Sequence, residues 1–364
     1  MSVLGVDWYA AATHSPGVGR YGRELVRAWL RLEGDVPDVS LYEVGAGAPR
    51  LAAAAEALTG DDVVRRPRVH LRLRVPRRAA DLAARAVGAD GLLRGCTAFL
   101  RSDPTRPVVR RARTVFAIDS WPEGDAERER FAAVLRENDE FIVFAHAAAD
   151  RLVDGFGVGR ERVHVTCAGS DHWLRDATPV DEAPSPRTLL VLGAVSDRRA
   201  PVAVLEAFER LRVDRTLERM VVCGRAGDGV QEFESKLRFS SARSDVEWVR
   251  DVREQDLPAR VRDAAVLVHV GAGEATAVTP LEAFAFGVPA VVSDLPEMRE
   301  VLGDLAHHVP RTKPRRLGEA VADAVRAALD ADTPATRAAR RARAAESTWS
   351  ACAAATAELV RSWK

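Results

Sequence analysis

The chain has 364 residues, enough to bury a large core and to form two domains. Its 53 Lys and Arg balance its 53 Asp and Glu, so the overall charge calls for neither nucleic acid nor an acidic membrane surface as a partner. The only lysines are Lys236, Lys313 and Lys364, and Arg carries the remaining basic charge, so a single Arg is weak functional evidence. Cys96, Cys167, Cys223 and Cys352 are far apart, with no C-x-x-C pair and no His at metal spacing, which predicts reduced thiols in the cytoplasm without structural zinc. No apolar run approaches the roughly 18 residues that span a bilayer, and Met1 is followed by strand-like residues rather than a signal sequence.

In chain order, Val3 to Trp8 predicts a first strand, His14 to Gly19 a loop, and Arg20 to Leu32 an amphipathic helix with Tyr21, Leu25, Ala28, Trp29 and Leu32 on one face. Gly17, Gly19 and Gly22 spell G-x-G-x-x-G. A dinucleotide fold needs the first of these glycines directly after the strand, and about eight residues intervene here, which disfavours a nicotinamide cofactor. Arg65 to Arg78 alternates apolar and basic residues, predicting a strand whose charged face is either solvated or in contact with an anionic acceptor. Thr114 to Asp119, Phe141 to Ala145 and Val163 to Cys167 are further strands, with a helix from His146 to Phe156. His146 and His172 lie at strand ends as structural or catalytic histidines. The Pro-rich segment Asp176 to Arg187 predicts a linker between domains 1–175 and 188–345. A second sheet starts at Leu189 to Gly193, followed by a loop with Arg198 and Arg199 and a helix from Pro201 to Leu211. Met220 to Cys223 and Val246 to Val252 are its next strands, and the tail from Thr336 is helical.

The most informative stretch runs from Val266 to Asp294. Val266 to Val270 has strand character, a Gly-bearing loop follows, Pro280 opens a helix that Gly287 and Pro289 stop, and Ala290 to Val292 is the next buried strand. Glu274 falls in the loop and Glu282 in the expected first helical turn. A helix N-terminus attracts phosphate, here near Thr279, and carboxylates on either side of it can accept bonds from hydroxyls. Phosphate flanked by two sets of hydroxyls describes a nucleotide sugar.

These residues resemble retaining glycosyltransferases of the GT-B type, family 4 in particular. In that family a Glu-x7-Glu motif ends in "PLEAMACGxPVV", matched here by Pro280 to Pro289. The run from Pro16 to Ala28 is similar to the family's "GGxGRYxxEL" loop, and Gly193 to Ala200 to its "GTxEPRKN", with Arg198 at the Arg and Arg199 at the Lys. The resemblance implies an α/β fold of two Rossmann-like domains with parallel sheets facing a central cleft, and a final helix, 346–364, returning to the first domain. It implies a sugar transferred from a nucleoside-diphosphate sugar to a hydroxyl acceptor with retention, with no bound metal and no cofactor beyond the co-substrate. Glu282 would hold the ribose, Arg198 and Arg199 the diphosphate, Glu274 the donor sugar, and Thr279 a phosphate. Gly17 and Gly19 would approach the donor, and the strand end at Val249 would read the base. Asp119 matches the Asp of the family's "VHD" and, with His146, is assigned to the acceptor side, but Ile118 replaces the His. The family's "EGFGLP" becomes Glu274 to Thr279, with Ala275 and Ala277 in place of glycines. These departures leave an alternative: a catalytically impaired GT-B protein acting as a binding partner.

Overall fold

The computed structural model describes residues 2–13, 17–46, 50–60, 62–104, 106–175, 177–179, 187–310 and 312–363. The chain forms two compact units. The first comprises Met1–Gly169 and Thr348–Lys364, and the second Ser170–Ser347.

The first unit is built on seven parallel strands: β1 (Val3–Asp7), β2 (Asp38–Val44), β3 (Val69–Leu73), β4 (Ala98–Arg101), β5 (Arg113–Ala117), β6 (Glu140–Val143) and β7 (Val163–Val165). Their order is β3-β2-β1-β4-β5-β6-β7, so the winding direction reverses between β1 and β4. The second unit has six: β8 (Thr188–Leu192), β9 (Arg219–Cys223), β10 (Val246–Val249), β11 (Val266–His269), β12 (Ala290–Ser293) and β13 (His307–Val309). Their order is β10-β9-β8-β11-β12-β13, with the reversal between β8 and β11. In an open parallel sheet such a reversal opens a crevice beyond the C-terminal ends of the two strands, where ligands bind.

Burial on both faces explains why the central strands of the second sheet are apolar almost throughout. On one face the helices Pro201–Val213 and Pro314–Asp330 close over β8 and β11 through Val204, Phe208, Leu211, Val321 and Val325. On the other, Leu190 and Leu267 pack against Ala283, Phe286 and Trp173. Trp173 lies in the turn Asp171–Arg175, and the backbone N–H of Ser170 donates to Ser347 at 3.0 Å. The boundary between units therefore falls after Gly169, six residues before the expected 175, because this turn carries a core side chain of the second unit. Of the expected linker, residues 176 and 180–186 lie outside the described residues.

Several other expectations are corrected. The first strand ends at Asp7, and Trp8–Thr13 is a helix with Trp8, Ala11 and Ala12 fully buried. The next helix, Val18–Trp29, starts earlier than Arg20; of the expected loop, residues 14–16 lie outside the described residues. Only Val69–Leu73 of the basic segment is a strand. It sits at the sheet edge, and Arg77 already begins the helix Arg77–Leu92. The tail is two helices, Pro334–Ala345 and Trp349–Ser362, each N-capped by a threonine side chain, Thr333 and Thr348. The second of them belongs to the first unit, where the Trp349 ring lies 6.0 Å from that of Tyr21 on the helix Val18–Trp29.

Candidate functional site

At the reversal of the second sheet, two loops are stitched together. The backbone N–H of Ala272, after β11, donates to the carbonyl of Arg198, after β8, at 2.8 Å. The Ser293 hydroxyl, at the end of β12, donates to the Gly271 carbonyl at 2.8 Å and accepts from the Gly271 N–H at 2.9 Å. The approach of the two loops requires glycine at 271, since any Cβ there would collide with the Arg198 carbonyl.

This stitching brings Arg199 and Glu274 together. An Arg199 Nη2 lies 3.3 Å from one Glu274 oxygen, and Nη1 donates to the Leu192 carbonyl at 3.3 Å and to Nδ1 of His269 at 3.2 Å. Nε2 of the same His269 ring is 3.5 Å from the other Glu274 oxygen. Arginine can only donate, so Nδ1 accepts and the ring proton sits on Nε2, toward Glu274. Burial would push the Glu274 carboxyl up, but its contacts with His269 and the nearby charges of Arg199 and Arg198 outweigh it and bring the pKa down to about 2. Glu274 is thus an ionised acceptor in a largely buried site. Arg198 and Arg199 belong to a 3-10 turn, Asp197–Arg199, and Arg199 is folded onto Glu274 rather than extended into solvent.

The loop leads into the helix Val278–Ala285, whose first turn has no side-chain cap. Pro280 has no N–H and the Leu281 N–H donates to the Ala277 carbonyl at 2.9 Å, which leaves the amides of Val278 and Thr279 for an anion. The helix starts at Val278, ahead of Pro280, so Thr279 is in its first turn but Glu282 is in the second. The Glu282 side chain is fully buried, 3.3 Å from Nε2 of His172, itself only 2% exposed. His172 therefore belongs to the second unit, against Glu282. The ionisable residues at this edge sit on apolar supports: Leu281 and Phe284 of the same helix pack with Val292 and Met298. Ala275 and Ala277 are also buried, and neither has a positive φ, so alanine occupies this loop without strain. At the end of β10 the Val249 carbonyl accepts from the Gly224 N–H at 3.0 Å, which leaves one lone pair on that oxygen for a ligand. Beside it, Arg250 lies over the Trp248 ring at 4.1 Å.

In the first unit, Gly17, Asp119 and His146 fall at the corresponding strand-end edge. Gly17 has φ 62° and its carbonyl accepts from Tyr21, opening the helix that also holds Gly19. A Cβ on Gly17 would be 3.8 Å from an Asp119 carboxylate oxygen, so the structure brings these two together. Asp119 accepts from the Ser120 hydroxyl at 3.1 Å, and His146 is exposed at the start of the helix His146–Phe156. Ile118 is fully buried, an apolar position in this chain. With the helix Trp8–Thr13 between β1 and Gly17, the dinucleotide fingerprint geometry is missing. The basic edge strand places His70 2.8 Å and Arg72 3.4 Å from Glu43, with Arg50 2.8 Å away on the other side. Of this segment, His70 and Arg72 thus share one carboxylate within the unit, and Arg65 and Arg66 donate to backbone carbonyls.

His269 and Ser293 were not among the expected site residues. The signal for His269 was present: a histidine among Val266, Leu267, Val268 and Val270 is a polar group in a buried strand and needs partners. Among the described residues, no cluster of three or more His, Cys, Asp or Glu is arranged to hold a metal ion, and no helix is long and apolar enough to cross a membrane.

Two Rossmann-like α/β units with parallel sheets, and a final helix that returns to the first, define the GT-B fold class. Residues 176–345, nearly the whole second unit, match the sequence model of the family described as Glycosyl transferases group 1. A curated relative, the D-inositol 3-phosphate glycosyltransferase of Nocardia farcinica (strain IFM 10152), is 29% identical over 226 residues, 56% of this chain and 50% of that protein. The chain thus spans about half the length of the curated relative it matches. Among solved structures, sucrose-phosphate synthase (tll1590) from Thermosynechococcus elongatus superposes with a TM-score of 0.72 at 16% identity, covering 100% of this chain and 99% of that one. Anabaena Alr3699/HepE in complex with UDP and glucose gives 0.71 at 13% identity over 100% of both chains. WaaG, a glycosyltransferase involved in lipopolysaccharide biosynthesis, gives 0.69 at 15% identity, covering 98% and 99%. At these identities the likeness is one of fold.

Proposed function

We propose that this chain is a glycosyltransferase of the family 4 type, transferring a sugar from a nucleoside-diphosphate sugar to a hydroxyl acceptor with retention of anomeric configuration. The observation that carries the reading is the Arg199, Glu274 and His269 cluster at the strand reversal of the second unit, directly before an uncapped helix N-terminus. Residues 176–345, which match Glycosyl transferases group 1, contain all three residues. The naming of the Nocardia relative as a glycosyltransferase and the UDP and glucose of the Anabaena structure support the same activity.

In this reading the amides near Thr279 and the guanidiniums of Arg198 and Arg199 bind the diphosphate. Glu282 holds the ribose, the backbone at Val249 reads the base, and Glu274 accepts from donor-sugar hydroxyls. Cation charge on the diphosphate stabilises the negative charge that grows as the sugar C1–O bond breaks and its electron pair moves to the phosphate oxygen. The acceptor oxygen bonds to C1 on the face the diphosphate leaves, which preserves configuration, and its proton passes to the departing phosphate oxygen. Gly17, Gly19, Asp119 and His146 serve the donor phosphate and acceptor from the first unit. The arginines take the role a metal would have. Four free cysteine thiols accord with a reducing, cytoplasmic setting.

The impaired alternative rested on Ala275, Ala277 and Ile118, and all three are buried residues in unstrained backbone. The test is a panel of nucleotide sugars screened by thermal shift, because a ligand that binds only the folded protein raises its melting temperature. Proton NMR of the sugar product formed from the best donor then reports its anomeric configuration. The same configuration as the donor is expected; an inverted product overturns the retaining mechanism, and firm binding without transfer or hydrolysis returns the binding-partner reading.

A further inference from the structure

We propose that His269 is a positioning residue of the donor site, holding Arg199 and Glu274 in a single-contact arrangement that keeps the guanidinium open to a diphosphate. The inference rests on the donor-site reading above and adds to it a residue and a task. An arginine and a carboxylate left to themselves close into a bidentate pair, two parallel N–H···O bonds, which would spend both the charge and the donors of Arg199 on Glu274. His269 prevents that closure from both sides. Its Nδ1 accepts from Arg199 Nη1 at 3.2 Å, turning that nitrogen away from the carboxylate, and its Nε2 lies 3.5 Å from the second Glu274 oxygen. The Leu192 carbonyl takes the other hydrogen of Nη1, at 3.3 Å. Only Nη2 then meets Glu274, at 3.3 Å. Among the described residues no partner takes the Nε–H of Arg199, so that edge of the fork remains for an anion.

The ring can do this because it is fixed. His269 ends β11, paired in register with Val292 of β12, and is only 6% exposed. The groups facing it are Arg199 from the loop after β8 and Glu274 from its own loop, with Arg198 also acting on Glu274. A leucine in the same strand position would preserve the apolar packing and remove both contacts.

Imidazole nitrogen NMR on the full chain, with the His269 signals assigned by their loss in His269→Asn, tests the arrangement directly. The expected pattern at neutral pH is a proton on Nε2 and an unprotonated, hydrogen-bonded Nδ1; a proton on Nδ1 overturns the proposal. UDP and GDP titrations then test the task. His269→Leu should lower the affinity for whichever nucleotide binds by at least about tenfold, the loss of a bond to a charged group. His269→Asn, whose carbonyl can still accept from Arg199, should recover most of that affinity but not turnover. Melting temperatures of both variants report whether they are folded. A folded His269→Leu protein within twofold of wild type in affinity and turnover contradicts the proposal, as does an asparagine variant no better than leucine. If the wild type binds neither nucleotide and turns over no donor, the transferase reading fails, and the NMR pattern still decides whether His269 separates the pair.

Discussion

The two units share one architecture, but the strand reversals they contain are built differently. In the first, β1 runs directly into the helix Trp8–Thr13, and Asp7 is occupied by Ser102 from the end of β4 and by the backbone of Tyr9 at 3.4 Å. In the second, β8 and β11 end in loops joined by backbone bonds, and an arginine, a histidine and a carboxylate converge there. The fold supplies a crevice in both, and in the second an arginine is held against a carboxylate and a histidine there, whereas Arg101, at the end of β4 in the first, donates to the Pro104 and Glu137 carbonyls. Buried charges persist where neighbouring backbone is held rigid, since each must keep its partners to offset lost hydration.

The sharpest way to break this contrast is Arg199→Ala. Transfer should fall by about 2.7–4 kcal/mol of transition-state stabilisation, roughly 100- to 1000-fold, as for the loss of one preorganised donor, while Arg199→Lys keeps part of the activity. Initial rates for the two variants check this; equal loss in both would mean that geometry, not charge alone, is required.

Next in size is the stability held by Glu274. Its carboxyl is depressed from 4.5 to about 2, so its stabilisation is fully present above about 4.5 and is lost as the pH falls toward 2. Glu274→Gln should unfold more easily than wild type at pH 7. The gap should narrow steadily in urea titrations between pH 5 and pH 3. A gap independent of pH would show that the ion pair is not its source.

A smaller effect is expected from Gly271→Ala, which forces the stitched loops apart. Overpacking of this kind costs about 1–3 kcal/mol. The corresponding change in the first unit, Gly17→Ala, meets only the Asp119 carboxylate, at an ordinary 3.8 Å, but a φ of 62°, and strain there is on the order of 1–2 kcal/mol. Melting curves for the pair separate steric from conformational cost. If Gly271→Ala is the milder of the two, the loop contact is not tight.

How much of this was legible in the sequence follows the range of the forces involved. Strand and helix character in Val266 to Val292 could be read from local pattern, and the two glutamates and two arginines from the motif around them. The helix Trp8–Thr13 escaped because WYAAAT has no cap and no polar face to set a period; its burial between β1 and the next helix made it helical. The start of the helix at Val278 was missed because proline usually marks the first helical position, whereas here it is the third. The sequence showed His269 as a polar residue in a buried strand, but not its partner, because Arg199 is 70 positions away in the chain and is brought to it by the loop after β8. Likewise His172, three residues past the end of the first unit, meets Glu282, 110 positions on, through the fold of the second unit.

The central claim is that a nucleoside diphosphate binds at the strand reversal of the second unit and not at that of the first. Calorimetric titration of UDP and GDP into wild type, Glu282→Gln and Asp119→Asn tests it most directly, with melting temperatures verifying that each variant is folded. One nucleotide should bind the wild type, bind Glu282→Gln more weakly by about 1.5–3 kcal/mol, and bind Asp119→Asn unchanged. Binding that survives Glu282→Gln and is lost in Asp119→Asn would contradict the account.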